Sequence, residues 1–404
     1  MNKKILVSIL LLLLSGVLWT KNVNLEIDYN GYYSDNIFMN ATAVGDYVSQ
    51  LHAGIHYDAK PFTLYLDSST SIYADKPQFN SYRLEPGVQY FHLLKKRNGI
   101  YLDLSYNILD YNEYYTDFNY NGPRFQAYAK IYLTGQTLLK AGYRFEARNY
   151  RSYRSFDFYN HNTFVEVMHF FPTQTRIQLS LGYNYRYYPH VVQNFDFGEN
   201  YRYYGPQSKG NMGGSMGGGG DGNGGGMGHG HTGIHPGQGN QPLRFGSTNV
   251  PNLYAGFNVS QAIGARMDIS AEVELKHNFQ GLENAEALIK NAYIIYPYND
   301  GYLWNGYRLT IQLKSVIFTS ISLVGRVSYL DKDYRGILIR ADDGSVALPE
   351  TQRKDSLLKA SLKVSKKFDH LELFTNIAYS DNSSNDSFFH YKMTTITVGI
   401  GYSF

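Results

Sequence analysis

The 404-residue sequence predicts an all-β fold, a transmembrane antiparallel β-barrel of about 16 strands, with roughly 14 to 18 compatible with the pattern. Three observations predict it. Apolar and polar residues alternate in many segments, short and long connections alternate between those segments, and the chain begins like a secreted protein. A residue period of two gives each strand one apolar and one polar face. A closed wall of such strands has an apolar outside and a wet inside.

Alternating segments recur along the whole chain. In residues 176–187, Ile, Leu and Tyr alternate with Arg, Gln, Ser, Gly and Asn, and residues 139–148 repeat the pattern. Each segment is close to, or longer than, the ~9–11 residues that a tilted membrane strand needs. The predicted strands lie near residues 22–34, 47–58, 62–74, 82–94, 99–110, 123–134, 137–149, 159–171, 174–188, 250–262, 265–279, 306–318, 320–331, 355–367, 371–380 and 390–404.

The connections between the predicted strands form two classes that alternate along the chain. The short ones lie near residues 59–61, 95–98, 134–136, 171–173, 263–264, 318–319 and 368–370. The long ones lie near residues 35–46, 75–81, 111–122, 150–158, 189–249, 280–305, 332–354 and 381–389. Membrane barrels have short periplasmic turns and longer extracellular loops. The two classes are therefore predicted to lie on opposite sides of a membrane, with both termini on the short-turn side.

The composition of the chain limits the kinds of partner and the kinds of chemical site that it can have. Tyr is abundant, with 39 residues beside 23 Phe, and amphipathic aromatic rings concentrate at membrane interfaces. The chain has no Cys, which excludes disulfides, thiolate metal sites and a lipid-anchored amino-terminal Cys. A formal net charge of +3 gives no sign of nucleic acid as a partner. The sequence predicts no cofactor.

Residues 1–20 are predicted to be a signal peptide. Lys3 and Lys4 precede an apolar run over residues 5–14, as in secretory signals. No A-x-A pattern marks the cleavage site, so a retained inner-membrane anchor stays open, although the run is shorter than the ~20 residues of a spanning helix. Residues 21–404 are predicted to form the barrel.

Charged residues on the polar faces indicate which solutes a lumen would favour. Cations outnumber the anions assigned to the same faces, which are Asp103, Glu146, Asp268, Glu272 and Glu274. A basic wall favours anionic solutes, whereas Arg–Glu pairs across neighbouring strands would instead brace the wall, and both interpretations stay open. The residues predicted to line the pore are Lys140, Arg144, Arg148, Arg176, Arg186, Arg308, Lys314, Arg326, Lys359 and Lys363.

The segment 205–242 is predicted to be a disordered extracellular loop. It is rich in Gly, Met and His, and its glycine density precludes a packed core. Within it, His229, His231 and His235 lie near several Met residues. Imidazole and thioether groups together suit copper or nickel, so these histidines are candidate metal ligands. The alternative is a low-complexity loop whose histidines are incidental.

Motifs of catalysis are not recognisable in the sequence. It contains no phosphate-binding loop, zincin motif or EF-hand pattern, and no spaced Ser/His or Asp/His constellation. Isolated carboxylates such as Asp110 and Asp117 lie in an acidic, Tyr-rich loop, where solvation or cation bridging to lipopolysaccharide is the simpler role. The sequence therefore predicts a protein that is not an enzyme.

The carboxy-terminal segment resembles the closing strand of bacterial outer-membrane β-barrels. Its apolar face consists of Ile396, Val398, Ile400, Tyr402 and Phe404, and it ends on an aromatic residue. The resemblance implies that the barrel assembly machinery reads this segment. It also implies location in the cell outer membrane, with outer-membrane lipids and lipopolysaccharide as partners.

A second resemblance lies near the start of the chain. The stretch Tyr33-Ser34-Asp35-Asn36-Ile37-Phe38 resembles a Tyr-x-Asp-Asn-Ile-Phe sequence in a loosely defined group of barrel porins, some linked to exopolysaccharide export. The helical repeats that precede the barrel in related export modifiers are missing from this sequence.

The expected function is that of a porin-like passive channel for small solutes, anions among them. Two alternatives stay open. One is a surface binding or adhesion protein that acts through its long loops, and the other is a barrel associated with exopolysaccharide export. A homo-oligomer also stays open, because alternation cannot locate a flat contact face.

Overall fold

The chain folds as a closed antiparallel barrel in which each strand pairs with its sequence neighbours and the first strand pairs with the last. The computed structural model describes residues 22–39, 41, 43–94, 97–152, 154–192, 245–279, 304–318, 320–339 and 351–403. Its strands are β1 Val23–Ser34, β2 Asp46–Ala59, β3 Phe62–Tyr73, β4 Ser81–Leu93, β5 Gly99–Tyr111, β6 Tyr120–Tyr132, β7 Thr137–Tyr150, β8 Phe158–Phe170, β9 Thr175–Val192, β10 Phe245–Ile263, β11 Met267–Asn278, β12 Trp304–Phe318, β13 Ile321–Leu338, β14 Gln352–Phe368, β15 Leu371–Ser384 and β16 Tyr391–Ser403.

The predicted all-β barrel of about 16 strands is confirmed, and short and long connections alternate as expected. Several strands are longer than predicted at the end where the long connections lie, here called the long-loop end. β10 begins at Phe245 rather than near 250, and β13 continues to Leu338 rather than ending near 331. These extensions contain polar residues on both faces, so apolar alternation no longer marks them although backbone pairing continues.

The outer face of the barrel is apolar. On β16, Ile396, Val398 and Ile400 are all well exposed, as are Leu179 and Leu181 on β9. Exposed aliphatic side chains at every second residue suit contact with lipid. Among the residues that the structure describes, no helix is long and apolar enough to cross a membrane.

Aromatic rings border this apolar face towards the long-loop end. Tyr159 on β8 stacks with Tyr187 on β9 at a centroid distance of 6.4 Å, and Phe145 on β7 stacks with Tyr159 at 6.5 Å. Rings that combine an apolar body with a polar hydroxyl favour the interface of a membrane. The row therefore matches the aromatic girdle of membrane barrels.

The barrel closes between β1 and β16, and the polar residues that follow β1 extend that seam. The register runs from Glu26 opposite Ser403 to Ser34 opposite Thr395. Beyond it, the Asp35 backbone N–H donates to the Thr394 carbonyl at 3.2 Å, and Asp35 Oδ1 accepts from the Thr394 backbone N–H at 2.7 Å. The buried Asn36 adds a bond from Nδ2 to the Lys392 carbonyl at 3.4 Å.

Asn and Asp side chains close other strands at the long-loop end in a similar way. Asn80 Oδ1 accepts from the Tyr73 N–H at 2.7 Å, Asn119 Oδ1 from the Tyr111 N–H at 2.6 Å, and Asp157 Oδ1 from the Tyr150 N–H at 2.7 Å. Each acceptor satisfies a backbone donor where the ladder stops. Burial raises the pKa of the Asp157 carboxyl, which the Tyr150 bond partly offsets.

Aromatic contacts tie neighbouring long connections together. Phe79 lies 5.2 Å from Phe38 and 4.5 Å from Tyr115, centroid to centroid, and Tyr115 lies 5.7 Å from Phe118. These rings come from the three connections that follow β1, β3 and β5. They form a small apolar cluster above the barrel wall, where ring pairs add stability beyond the area they bury.

Candidate functional site

The candidate site is the inner wall of the barrel, formed by every second side chain of each strand. Strand pairing places all the cations predicted to line a pore on the face opposite the exposed aliphatic side chains, because directly paired residues point the same way. Those cations are Lys140, Arg144, Arg148, Arg176, Arg186, Arg308, Lys314, Arg326, Lys359 and Lys363.

Three of these cations are regularly spaced on β7. Lys140, Arg144 and Arg148 recur at every fourth residue, so they point into the barrel at successive heights. Lys140 Nζ lies 3.5 Å from the nearer carboxylate oxygen of Glu166, and Arg148 Nε lies 2.8 Å from that of Glu146. Lys140 thus pairs across neighbouring strands, as one of the two sequence interpretations described, whereas Arg148 pairs within β7.

Arg144 contacts an aromatic ring and, among the described residues, not a carboxylate. Its guanidinium carbon lies 4.7 Å from the ring centroid of Phe164, at a distance typical of cation–π contact. No ion pair joins it to any carboxylate in the part of the chain that the structure describes. An aromatic ring fixes the position of a cation without cancelling its charge, so Arg144 keeps a full positive charge towards the lumen.

A row of aromatic rings crosses the wall beside these cations. Direct strand pairing joins Tyr128, Gly142, Phe164, Gly182 and Tyr254 in that order, from β6 to β10. A Cβ atom on the first glycine would lie 2.6 Å from a backbone carbonyl oxygen and 2.7 Å from the Phe164 ring. A Cβ atom on Gly182 would lie 2.6 Å from the Tyr254 ring. Glycine at both positions therefore leaves the space that the Phe164 and Tyr254 rings occupy.

An acidic sector occupies β1 to β5, and among its carboxylates the sequence predicted only Asp103 to face inward. Asp28, Asp67 and Glu85 all face inward in the register. His52 Nδ1 lies 3.8 Å from Asp28 Oδ2, and His56 Nε2 lies 3.2 Å from Asp67 Oδ1. The inner wall is therefore divided into sectors of different charge rather than uniformly basic.

Glu85 is the most extensively bonded carboxylate of this sector. Its Oε1 accepts from Ser105 Oγ at 2.8 Å and from Arg124 Nη1 at 2.8 Å, and its Oε2 accepts from Asn107 Nδ2 at 3.1 Å. The four residues come from three consecutive strands. Charge-assisted bonds of this kind are roughly twice as strong as neutral ones. Glu85 therefore fixes the boundary between the acidic sector and the basic sector that begins with Arg124.

The remaining predicted cations lie on β9 and on β12 to β14. Arg176 Nη2 donates to Asn258 Oδ1 at 3.5 Å, and Arg186 is buried with its guanidinium carbon 3.9 Å from the Phe158 ring centroid. Arg308 Nη1 lies 3.5 Å from Glu274 Oε2, and Lys363 Nζ lies 3.3 Å from Glu372 Oε1. Arg308, Arg326 and Lys359 are exposed within the barrel.

Other predicted site residues fall outside the described part of the chain or on the outer face. His229, His231, His235 and Phe404 lie outside the described residues. Tyr402 and the three aliphatic residues of the same predicted signal point outward on β16. Within the described residues, no group of three or more His, Asp or Glu side chains is placed to hold a metal ion.

Comparison with family models and with curated proteins gives no match. Among solved structures, the chain is similar to a bacterial polysaccharide outer membrane secretin, with 7% identity, a TM-score of 0.50, and 94% of this chain and 98% of that one covered. It is also similar to OprB of Pseudomonas putida, with 11% identity, a TM-score of 0.49, and 98% and 96% covered. OccK8 (OprE) of Pseudomonas aeruginosa has 9% identity, a TM-score of 0.45, and 95% and 98% covered. The secretin comparison shows that the chain has the fold of an outer-membrane β-barrel.

Proposed function

We propose that the chain is a passive channel of the outer membrane for small solutes, anions among them. The observation that carries this proposal is a closed barrel of this strand number whose inner wall has exposed charged side chains. Barrels of about eight strands fill their interior with side chains, whereas 16–18-stranded ones leave an aqueous channel. Water in the lumen also avoids the cost of burying the inner charges, several kcal/mol per ion.

The division of the wall into charged sectors supports selection by charge. Exposed cations such as Arg144 and Arg326 raise the local concentration of anions in a narrow wet pore, while Glu85 and Asp67 act in the opposite sense. Within the described residues, some cations are paired with carboxylates and others are not. The unpaired ones supply the preference for anions.

Solute flux into proteoliposomes tests the proposal. Purified, refolded protein is reconstituted, and the entry of uncharged sugars of increasing size is followed by light scattering. A channel admits the smaller sugars and excludes the larger ones, because the lumen width sets the limit. Entry no faster than into protein-free liposomes would contradict the channel.

Deleting residues 205–242 separates the channel from its rivals. A channel keeps its folding and its solute flux without this segment, because the wall is complete without it. A surface binding protein that acts through the segment, or a metal site at His229, His231 and His235, loses its ligand. Export of a polysaccharide, the activity suggested by the name of the similar secretin, requires instead that long oligosaccharides enter the liposomes.

The carboxy-terminal residues are proposed to direct assembly. Ile396, Val398, Ile400, Tyr402 and Phe404 would be read by the barrel assembly machinery, with lipopolysaccharide and outer-membrane lipids around the finished barrel. Their support is the resemblance of the segment and the outward exposure of the first four side chains. Residues 1–20 are proposed to be the signal peptide that delivers the chain to the periplasm.

A further inference from the structure

A recess opens in the inner wall where β11 to β14 lie side by side. Its volume is about 180 Å³. The floor contains Thr310, Leu330 and Leu357, all buried, and the rim carries Arg308, Arg326 and Lys359, all exposed. The recess therefore has a closed floor and a cationic opening towards the lumen.

Strand pairing brings these groups together. Ser328 on β13 lies directly between Thr310 on β12 and Lys359 on β14. Arg326 lies two residues from Ser328 on the same face of β13, and Arg308 lies two residues from Thr310 on β12. Hydroxyl groups thus lie at the centre of the recess, with cations on three sides of them.

The charges of the recess are unbalanced. The lining contains three cations and one carboxylate, that of Glu272. Arg308 also lies near Glu274 outside the recess, at 3.5 Å. Arg326 forms no ion pair with a carboxylate of the described strands. Positive charge converges here beside hydroxyl groups, and the guanidinium of Arg326, which no described carboxylate pairs with, is the donor best placed to bind an anion.

We propose that this recess binds the oxyanion of a phosphate group carried by a small solute on its way through the barrel. This inference rests on the proposed channel. Arg guanidinium groups offer paired N–H donors that match the oxygens of phosphate, and Lys359 adds a point charge. The Ser328 and Thr310 hydroxyls donate to the remaining oxygens, and the Glu272 carboxylate accepts from a hydroxyl of the solute. Phosphorylated polyols fit this set better than halide or carboxylate ions do.

Binding to the full-length protein tests the site without reference to conduction. Inorganic phosphate is titrated calorimetrically into the folded protein in detergent, and acetate serves as the comparison anion. Phosphate is expected to bind more tightly than acetate. Arg326→Gln is expected to weaken phosphate binding by about tenfold or more, because a charge-assisted bond is lost. Equal binding of the two anions, or no effect of R326Q, would overturn the proposal.

A matched variant distinguishes phosphate binding at the recess from attraction by the overall charge of the wall. Arg83 is also an inward, exposed cation, but it lies on β4, away from the recess. Arg83→Gln removes the same charge and is expected to change phosphate binding by no more than about twofold, because distant charges are screened. Arg326→Lys keeps the charge without the paired donors and is expected to bind with intermediate affinity. Equal losses in R83Q and R326Q would contradict a defined site.

Conductance distinguishes failure of the site from failure of the channel. In planar bilayers, phosphate added to a chloride solution is expected to reduce the current saturably in the unmodified protein and less in R326Q. An open channel without phosphate block contradicts the site and leaves the channel intact. Phosphate binding in detergent without any conductance supports the site and contradicts the channel.

Discussion

The Asp35 carboxylate accepts a hydrogen bond from the Thr394 backbone N–H at 2.7 Å and so joins the end of the first strand to the last strand. Both residues lie just beyond the β1–β16 register, at the long-loop end of the seam. Asp35 belongs to the Tyr-x-Asp-Asn-Ile-Phe stretch. Its contacts, with those of Asn36, give that stretch a structural role in closing the barrel.

Removal of this carboxylate should weaken the seam. We expect Asp35→Ala to lower the free energy of unfolding by about 1–3 kcal/mol, because a backbone donor loses a charged acceptor. Asp35→Asn retains Oδ1 as an acceptor and should lose less. Urea titration of the refolded barrel in lipid, followed by tryptophan fluorescence or by gel mobility, measures both. Equal stability of D35A and the unmodified protein would show that the seam does not need this bond.

The aromatic row makes a prediction about glycine. Gly142→Ala places a methyl group against the Ala127 carbonyl oxygen and the Phe164 ring, so we expect a loss of about 1–3 kcal/mol of stability from overpacking. Gly325→Ala is the matched control, because no atom lies within 4 Å of its added Cβ. The control should be neutral or slightly stabilising. Thermal unfolding on gels compares the two, and equal behaviour would contradict the close approach of ring and wall.

The preference of the channel for anions is expected to weaken when Arg144 loses its charge. Arg144→Gln removes a lumen cation that no described carboxylate neutralises, so the preference for chloride over potassium should fall by about twofold, given the modest Coulomb energy of one charge in water. Reversal potentials across a salt gradient measure the change. Arg144→Lys is the control and should keep the preference. An unchanged reversal potential in R144Q would show that Arg144 does not face the conducting path.

Loss of the Glu85 carboxylate should raise the preference for anions, whereas loss of the Arg144 charge should lower it. Glu85→Gln removes a negative charge and releases Arg124 from its 2.8 Å ion pair, so the preference for anions should rise by about twofold. The variant should also unfold more readily, since Ser105 and Asn107 lose part of a shared acceptor. A shift towards cations in the same reversal-potential measurement would contradict the assigned orientation of Glu85.

The strands were predictable from the sequence wherever one face meets lipid. On β9, aliphatic and Tyr residues alternate with polar ones, and the period of two survives in the structure. At the long-loop end the pattern fails. Asp331, Lys332 and Asp333 still pair with β14, although the prediction placed them at or beyond the end of the strand. Both faces are polar there, so pairing leaves no hydrophobic signature.

The inner face was only partly predictable for the same reason. Alternation on β7 and β12 separates the inward cations clearly. On β3, apolar residues alternate only up to Asp67, and residues 68–71 are Ser or Thr on both faces, so this strand shows a short apolar pattern. Contacts between strands require the register as well. The Glu85–Arg124 ion pair spans β4 and β6 with β5 between them, and no sequence spacing indicates it.

Single-channel recording in planar lipid bilayers tests the central claim most directly. The purified barrel is added to a bilayer in potassium chloride, and the current is followed at constant voltage over a series of salt concentrations. An open aqueous lumen predicts discrete, lasting current steps whose size rises in proportion to salt concentration. The absence of steps above the protein-free baseline, with folded protein shown to be inserted, would contradict the channel.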